Sequence, residues 1–190
     1  MRGPLRRSFL LLAGLLATAG LASADTLDGS LQIESAYVTV DGGVYRLNAV
    51  IRFPLNEEIH AALKEGVSLR FNVETVIVRE RRYWFDDSIV GLAIEKELSY
   101  HSVSDRYVVR DLRNSDQASF VSLEDAVDAI GRIENRPILV EPQLDASASY
   151  RVSVRAGVRR GRVPDALRFF VFWSDSWHRE SDWYSWTLPH

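Results

Sequence analysis

From Val44 to Phe53 the side chains alternate with period two. Tyr45, Leu47, Ala49, Ile51 and Phe53 share one face, and Val44, Arg46, Asn48, Val50 and Arg52 share the other. Successive residues of an extended chain point to opposite sides, so this run describes a strand with one face in a core and one in water. The period recurs at Val90, Leu92, Ile94, Leu98 and Tyr100, and again at Tyr150, Val152, Val154, Ala156 and Val158. Half-apolar strands must be covered on one side only, which points to sheet packed on sheet.

The punctuation between these runs is that of antiparallel pairing. Asp41-Gly42-Gly43 separates the β-branched and aromatic stretch Leu31 to Val40 from the strand that follows, a hairpin signal. Val67 to Trp84 reads as a long strand whose faces change phase near Val76, as at a bulge or a move between sheets. Asp86-Asp87 then marks a turn, and Ser102 to Asp105 turn the chain into Arg106 to Leu112. Ile138 to Val140 is a further short strand candidate. Two short helices interrupt the pattern. Pro54-Leu55-Asn56 opens the first, with Leu55, Ile59, Ala62 and Leu63 on one face and Gly66 as a stop. Ser122 caps the second, whose inward face is Leu123, Ala126, Val127 and Ile130. Seven or eight strands and two short helices predict a mainly β chain, an antiparallel sandwich that is immunoglobulin-like in broad architecture.

The first 24 residues read as a cleavable signal peptide. Arg2, Arg6 and Arg7 form a positive start, Phe9 to Ala22 is an apolar run of 14 residues, and Ala22-Ser23-Ala24 suits cleavage before Asp25. The run is too short to cross a membrane, so no permanent span is expected and residues 25–190 are read as one exported, periplasmic domain. Arg6-Arg7-Ser8-Phe9-Leu10 resembles a twin-arginine signal, but Leu5 and Leu11 depart from that pattern, which favours general secretion. Without the leader the chain has 20 basic and 26 acidic residues, a balance that argues against nucleic-acid binding. It has no cysteine, which removes disulfides, thiolate metal sites and cysteine nucleophiles.

Reactive motifs are equally sparse. The serines lack a G-x-S-x-G elbow and an S-x-x-K motif. No pair among His60, His101, His178 and His190 has the helical spacing of a zinc site, and no metal or other cofactor is expected. His101 lies before a turn holding Ser104 and Asp105, where a structural hydrogen bond competes with a catalytic role.

Two features suit binding. Arg151, Arg155, Arg159, Arg160 and Arg162 form a basic stripe. It reads either as a contact for a phosphate-bearing partner or as a solvated face neutralised by Glu80, Glu95 or Glu97 across the sheet. The last 22 residues hold Trp173, Trp177, Trp183 and Trp186, together with Phe169, Phe170, Phe172 and Tyr184. These rings either staple the terminus over the core or offer an aromatic platform.

Several segments, in order, resemble the DUF4390 family of exported bacterial proteins: A-A-L-K-E-G-V-S-L-R-F, R-R-Y-W-F-D, L-S-Y-H-S-V-S-D-R-Y-V-V, S-F-V-S-L-E-D-A-V and S-D-W-Y-S-W. Members more often read L-P-x-P-L-R where this chain has Val163-Pro164-Asp165-Ala166-Leu167-Arg168. The family has no assigned biochemical function, so the resemblance carries over no catalytic residue. Its frequent company with signalling proteins makes a membrane sensor one candidate partner.

The expectation is a non-catalytic periplasmic interaction module that meets an envelope protein through Trp177, Trp183, Trp186, Arg151 and Arg155. The alternative is a carrier holding an apolar or lipid ligand between its sheets, against residues such as Phe71, Leu92 and Val152. A hydrolase ranks third.

Overall fold

A computed structural model describes residues 30–80, 87–145, 147–165 and 178–188. The leader reading, Trp84, Asp86 and most of the aromatic tail up to Trp177 lie outside them. Among the described residues there are ten strands and two α-helices. In order they are β1 (Gln32–Asp41), β2 (Val44–Arg52), α1 (Glu57–Lys64), β3 (Leu69–Arg79), β4 (Asp87–His101), β5 (Arg106–Asp111), β6 (Gln117–Phe120), α2 (Leu123–Gly131), β7 (Arg132–Val140), β8 (Tyr150–Arg160), β9 (Arg179–Glu180) and β10 (Tyr184–Thr187).

The strands form two antiparallel sheets. The smaller has the order β1-β2-β7. The larger runs β10-β8-β3-β4-β5-β6, with β9 also pairing β8. Both contribute to one cluster of buried apolar side chains, with Leu47, Ala49 and Ile51 from the smaller sheet and Phe71, Ile77, Leu98, Val152 and Val154 from the larger. This is the expected mainly β sandwich, and its likeness to the immunoglobulin arrangement stops at the pairing of two antiparallel sheets. The helices carry the chain between layers: α1 joins β2 to β3, and α2 joins β6 to β7.

Local chemistry explains the joints. Gly42 and Gly43 at φ +56° and +74° close the β1–β2 hairpin, a double left-handed turn that non-glycine residues resist. Asn56 caps α1, its side-chain oxygen accepting from the Ile59 amide at 2.8 Å. Ser122 Oγ caps α2 by accepting from the Asp125 amide at 3.0 Å. The second helix seats closely on the smaller sheet, since a Cβ on Gly131 would stand 2.1 Å from the carbonyl oxygen of Ile51.

Several elements differ from the sequence reading. Strand β7 spans nine residues rather than the three of Ile138 to Val140, because it leaves α2 directly and tolerates Asn135 at φ +50° and Pro137 as a sheet edge. The described part of Val67 to Trp84 stays in one sheet and keeps its inward alternation. The irregularity lies between Ile77 and Val78, in the register against β4. The exposed β6 carries no alternating signal, and β9 and β10 owe their conformation to pairing with β8.

Candidate functional site

The outer face of the larger sheet carries the basic stripe. Alternation along β8 sends Tyr150, Val152, Val154 and Ala156 into the core and Arg151, Ser153 and Arg155 outward. Arg155 stands opposite Glu74 of β3 in the strand register and donates to its carboxylate at 2.9 Å, while its other terminal nitrogen reaches Glu180 at 3.0 Å. The Trp183 ring stacks over the same guanidinium, with 4.7 Å from Cζ to the ring centroid, and remains 44% exposed. A charged plane, held by two carboxylates, therefore supports an exposed indole.

The segment that presents Trp183 is fastened on both sides. Ser181 donates its amide to the Ala156 carbonyl at 2.9 Å, and its hydroxyl accepts from the Ala156 amide at 3.0 Å. Beyond it, Ser153 and Ser185 hydroxyls meet at 2.8 Å, and the amide of Leu188 donates to Tyr150 at 2.8 Å.

The five residues expected to make contacts do not form one surface. Arg155 and Trp183 touch. Arg151 shares their face but pairs with Glu80 at 2.7 Å, four residues along the strand. Trp186 stands opposite Val152, packs against the core, and meets Tyr184 edge-on at 5.8 Å. Trp177 lies outside the described residues. Of the described tail tryptophans, Trp186 covers the core and Trp183 faces water. The neutralised-face reading of the stripe holds at Arg151, which pairs with Glu80, whereas Arg155 is neutralised by Glu74 and Glu180 rather than by Glu95 or Glu97.

His101 is in an exposed turn. Its Nδ1 lies 3.0 Å from Ser104 Oγ, and the Asp105 carboxylate accepts from Tyr100 rather than from the imidazole. This is the hydrogen bond across the turn. Among the residues named for an apolar ligand, Phe71 packs edge-to-face on the ring of Phe53, with 4.8 Å between centroids. Val152 is fully buried and Leu92 partly so.

A groove that sequence reasoning missed lies between the two helices. It has a volume of about 790 Å³, and its lining includes His60 and Lys64 of α1, Asp105 and Tyr107, and Val121 and Glu124 at the start of α2. Burial, with Glu124 and Asp105 nearby, pushes the Tyr107 hydroxyl above its ordinary pKa. Its walls come from three distant segments, so no local spacing announced it. Among the described residues no three histidine or carboxylate side chains gather as metal ligands, and no helix is long and apolar enough to cross a membrane.

Compared with known proteins, residues 28–187 match the model of a domain of unknown function, DUF4390. No curated protein and no solved structure matches the chain.

Proposed function

The chain belongs to the DUF4390 family, whose description names no activity, and from its own surface we propose a non-catalytic interaction module that works outside the cytoplasmic membrane and meets an envelope protein. The observation that carries this reading is the exposed Trp183, immobilised on Arg155 between Glu74 and Glu180. A large indole already fixed in place loses little freedom on binding, which is why tryptophans anchor protein contacts. The two carboxylates outweigh the one guanidinium, so the patch suits a partner with an apolar pocket rimmed by basic side chains. Trp186 and Leu188 support the platform by holding β10 to the core.

A photo-crosslinking residue in place of Trp183 tests it in cells. One discrete protein adduct is expected in the envelope fraction, lost with Arg155→Ala and absent when the probe replaces Val103, which is 91% exposed in the turn after β4. No adduct, or the same adduct from both positions, would reject the surface. The same fractionation checks export, which requires the protein to begin at Asp25 and to leave the cytosol.

A further inference from the structure

We propose that Arg70, Arg110 and Arg162, gathered round the buried carboxylate of Glu97 on the outer face of the larger sheet, form a binding site for a phosphate group together with Arg159, which stands beside Arg70 on the next strand.

The strand registers set one row across the sheet. Arg159 of β8 stands opposite Arg70 of β3, Arg70 opposite Glu97 of β4, Glu97 opposite Arg110 of β5, and Arg110 opposite Gln117 of β6. Directly opposed residues of antiparallel strands share a face at about 5 Å, and like charges so placed destabilise the sheet. Glu97 is 5% exposed and takes Arg70 at 3.4 Å, Arg110 at 3.3 Å and Arg162 at 3.8 Å. Arg159 makes no ion pair among the described residues.

Arg162 reaches this row because of a knot at the end of β8. The Gly161 amide donates to the Ser68 carbonyl at 2.7 Å, the Arg162 amide to Ser68 Oγ at 2.7 Å, and the Ser68 amide to the Arg162 carbonyl at 2.9 Å. A Cβ on Gly161 would stand 2.5 Å from Ser68 Oγ, so glycine permits the approach.

Four guanidiniums against one carboxylate leave three uncompensated positive charges. Glu95, two residues along the same face, pairs with none of them, and counting it still leaves two. Elsewhere on the face Arg155 has Glu74 and Glu180, and Arg151 has Glu80. The contacts to Glu97 are long, and the side chains of Arg70 and Arg110 are 45% exposed and that of Arg162 75% exposed, so most of their N–H donors face water. A phosphate group brings several acceptor oxygens on a tetrahedral centre, with one negative charge as a diester and close to two as a monoester, which matches this surplus better than a single carboxylate does. The same chemistry is found on a phospholipid headgroup and on a soluble phosphate.

The test uses the purified protein at low salt with two probes, inorganic pyrophosphate by calorimetry and vesicles of equal parts phosphatidylglycerol and phosphatidylcholine by flotation. Binding of at least one is expected, weakened about fivefold or more by Arg110→Gln and by Arg159→Gln and changed less than about twofold by Arg151→Gln. Arg159 has no ion pair to lose among the described residues, so its variant decides the matter should Arg110→Gln fail to fold. Arg159→Lys, which keeps the charge and removes the fork, should bind less tightly than the native protein. Response to pyrophosphate identifies a soluble ligand, and response to the vesicles alone a lipid. Binding of neither probe, or equal weakening by Arg151→Gln and Arg159→Gln, would overturn the proposal.

Discussion

The ammonium of Lys96 donates a hydrogen bond of 3.0 Å to the carbonyl oxygen of Ala129 and stands 3.4 Å from that of Ile130. Helix α2 has no basic residue in its own last turn, so β4 supplies the cation that its open carbonyls and negative end call for. Replacing Lys96 with methionine keeps most of the stem and removes the donor. A loss of roughly 1–2 kcal/mol in urea unfolding is expected, with faster hydrogen exchange in the last turn of α2. Unchanged exchange there would show that the carbonyls find water instead.

Alkaline pH should separate two effects. Burial holds Lys96 below its ordinary pKa, with Asp111 opposing and Arg136 reinforcing the shift. The unfolded chain therefore binds more protons between the folded value and about pH 10.4, and stability from this group rises with pH across that window. Tyr107 is shifted upward, chiefly by burial, so the folded state keeps its proton longer and stability from it falls above about pH 10. Lys96→Met should flatten the rise, and Tyr107→Phe the fall, in unfolding free energies measured from pH 8 upward.

The acid limb has a different owner. The hydroxyl of Ser147 and then its amide donate to Asp145, and Arg79 pairs with it at 2.6 Å, holding the carboxyl below its ordinary range. Its contribution is present above about pH 3.9 and is lost as pH falls through the folded value. Asp145→Asn should leave stability nearly independent of this site in acid, so the gap between native and variant proteins narrows as pH drops from 5 to 3.

Ser122→Ala removes the acceptor for the Asp125 amide at the start of α2 and should cost about 1 kcal/mol, with Ser122→Gly milder. Equal losses from both would assign the effect to backbone freedom rather than to the cap.

Gly131→Ala sets two effects against each other. Alanine favours a helix over glycine by about 1 kcal/mol, but its Cβ would lie 2.1 Å from the Ile51 carbonyl oxygen. That contact cannot relax without shifting β2, so a net loss of about 2–3 kcal/mol is expected in thermal or urea melts. A stabilised variant would mean that α2 seats less tightly on β2.

Alternation and caps are local physics, and they were legible. Tyr45 to Phe53, Tyr150 to Val158, the Gly42-Gly43 turn and the Asn56 and Ser122 caps each depend on residues within a few positions of one another. The family, too, is written in contiguous segments. What the sequence could not order is which outward side chains become neighbours. Trp183 and Trp186 are three residues apart in the tail, yet Trp186 packs on the core because β10 pairs with β8, while Trp183, just before that strand, lies over Arg155 and stays exposed. Arg159, Arg70, Glu97 and Arg110 come from four strands, and only the registers bring them into one row. Side-chain period belongs to a strand by itself. The balance of charge on a sheet face belongs to its pairing, which hydrogen bonds between distant segments decide.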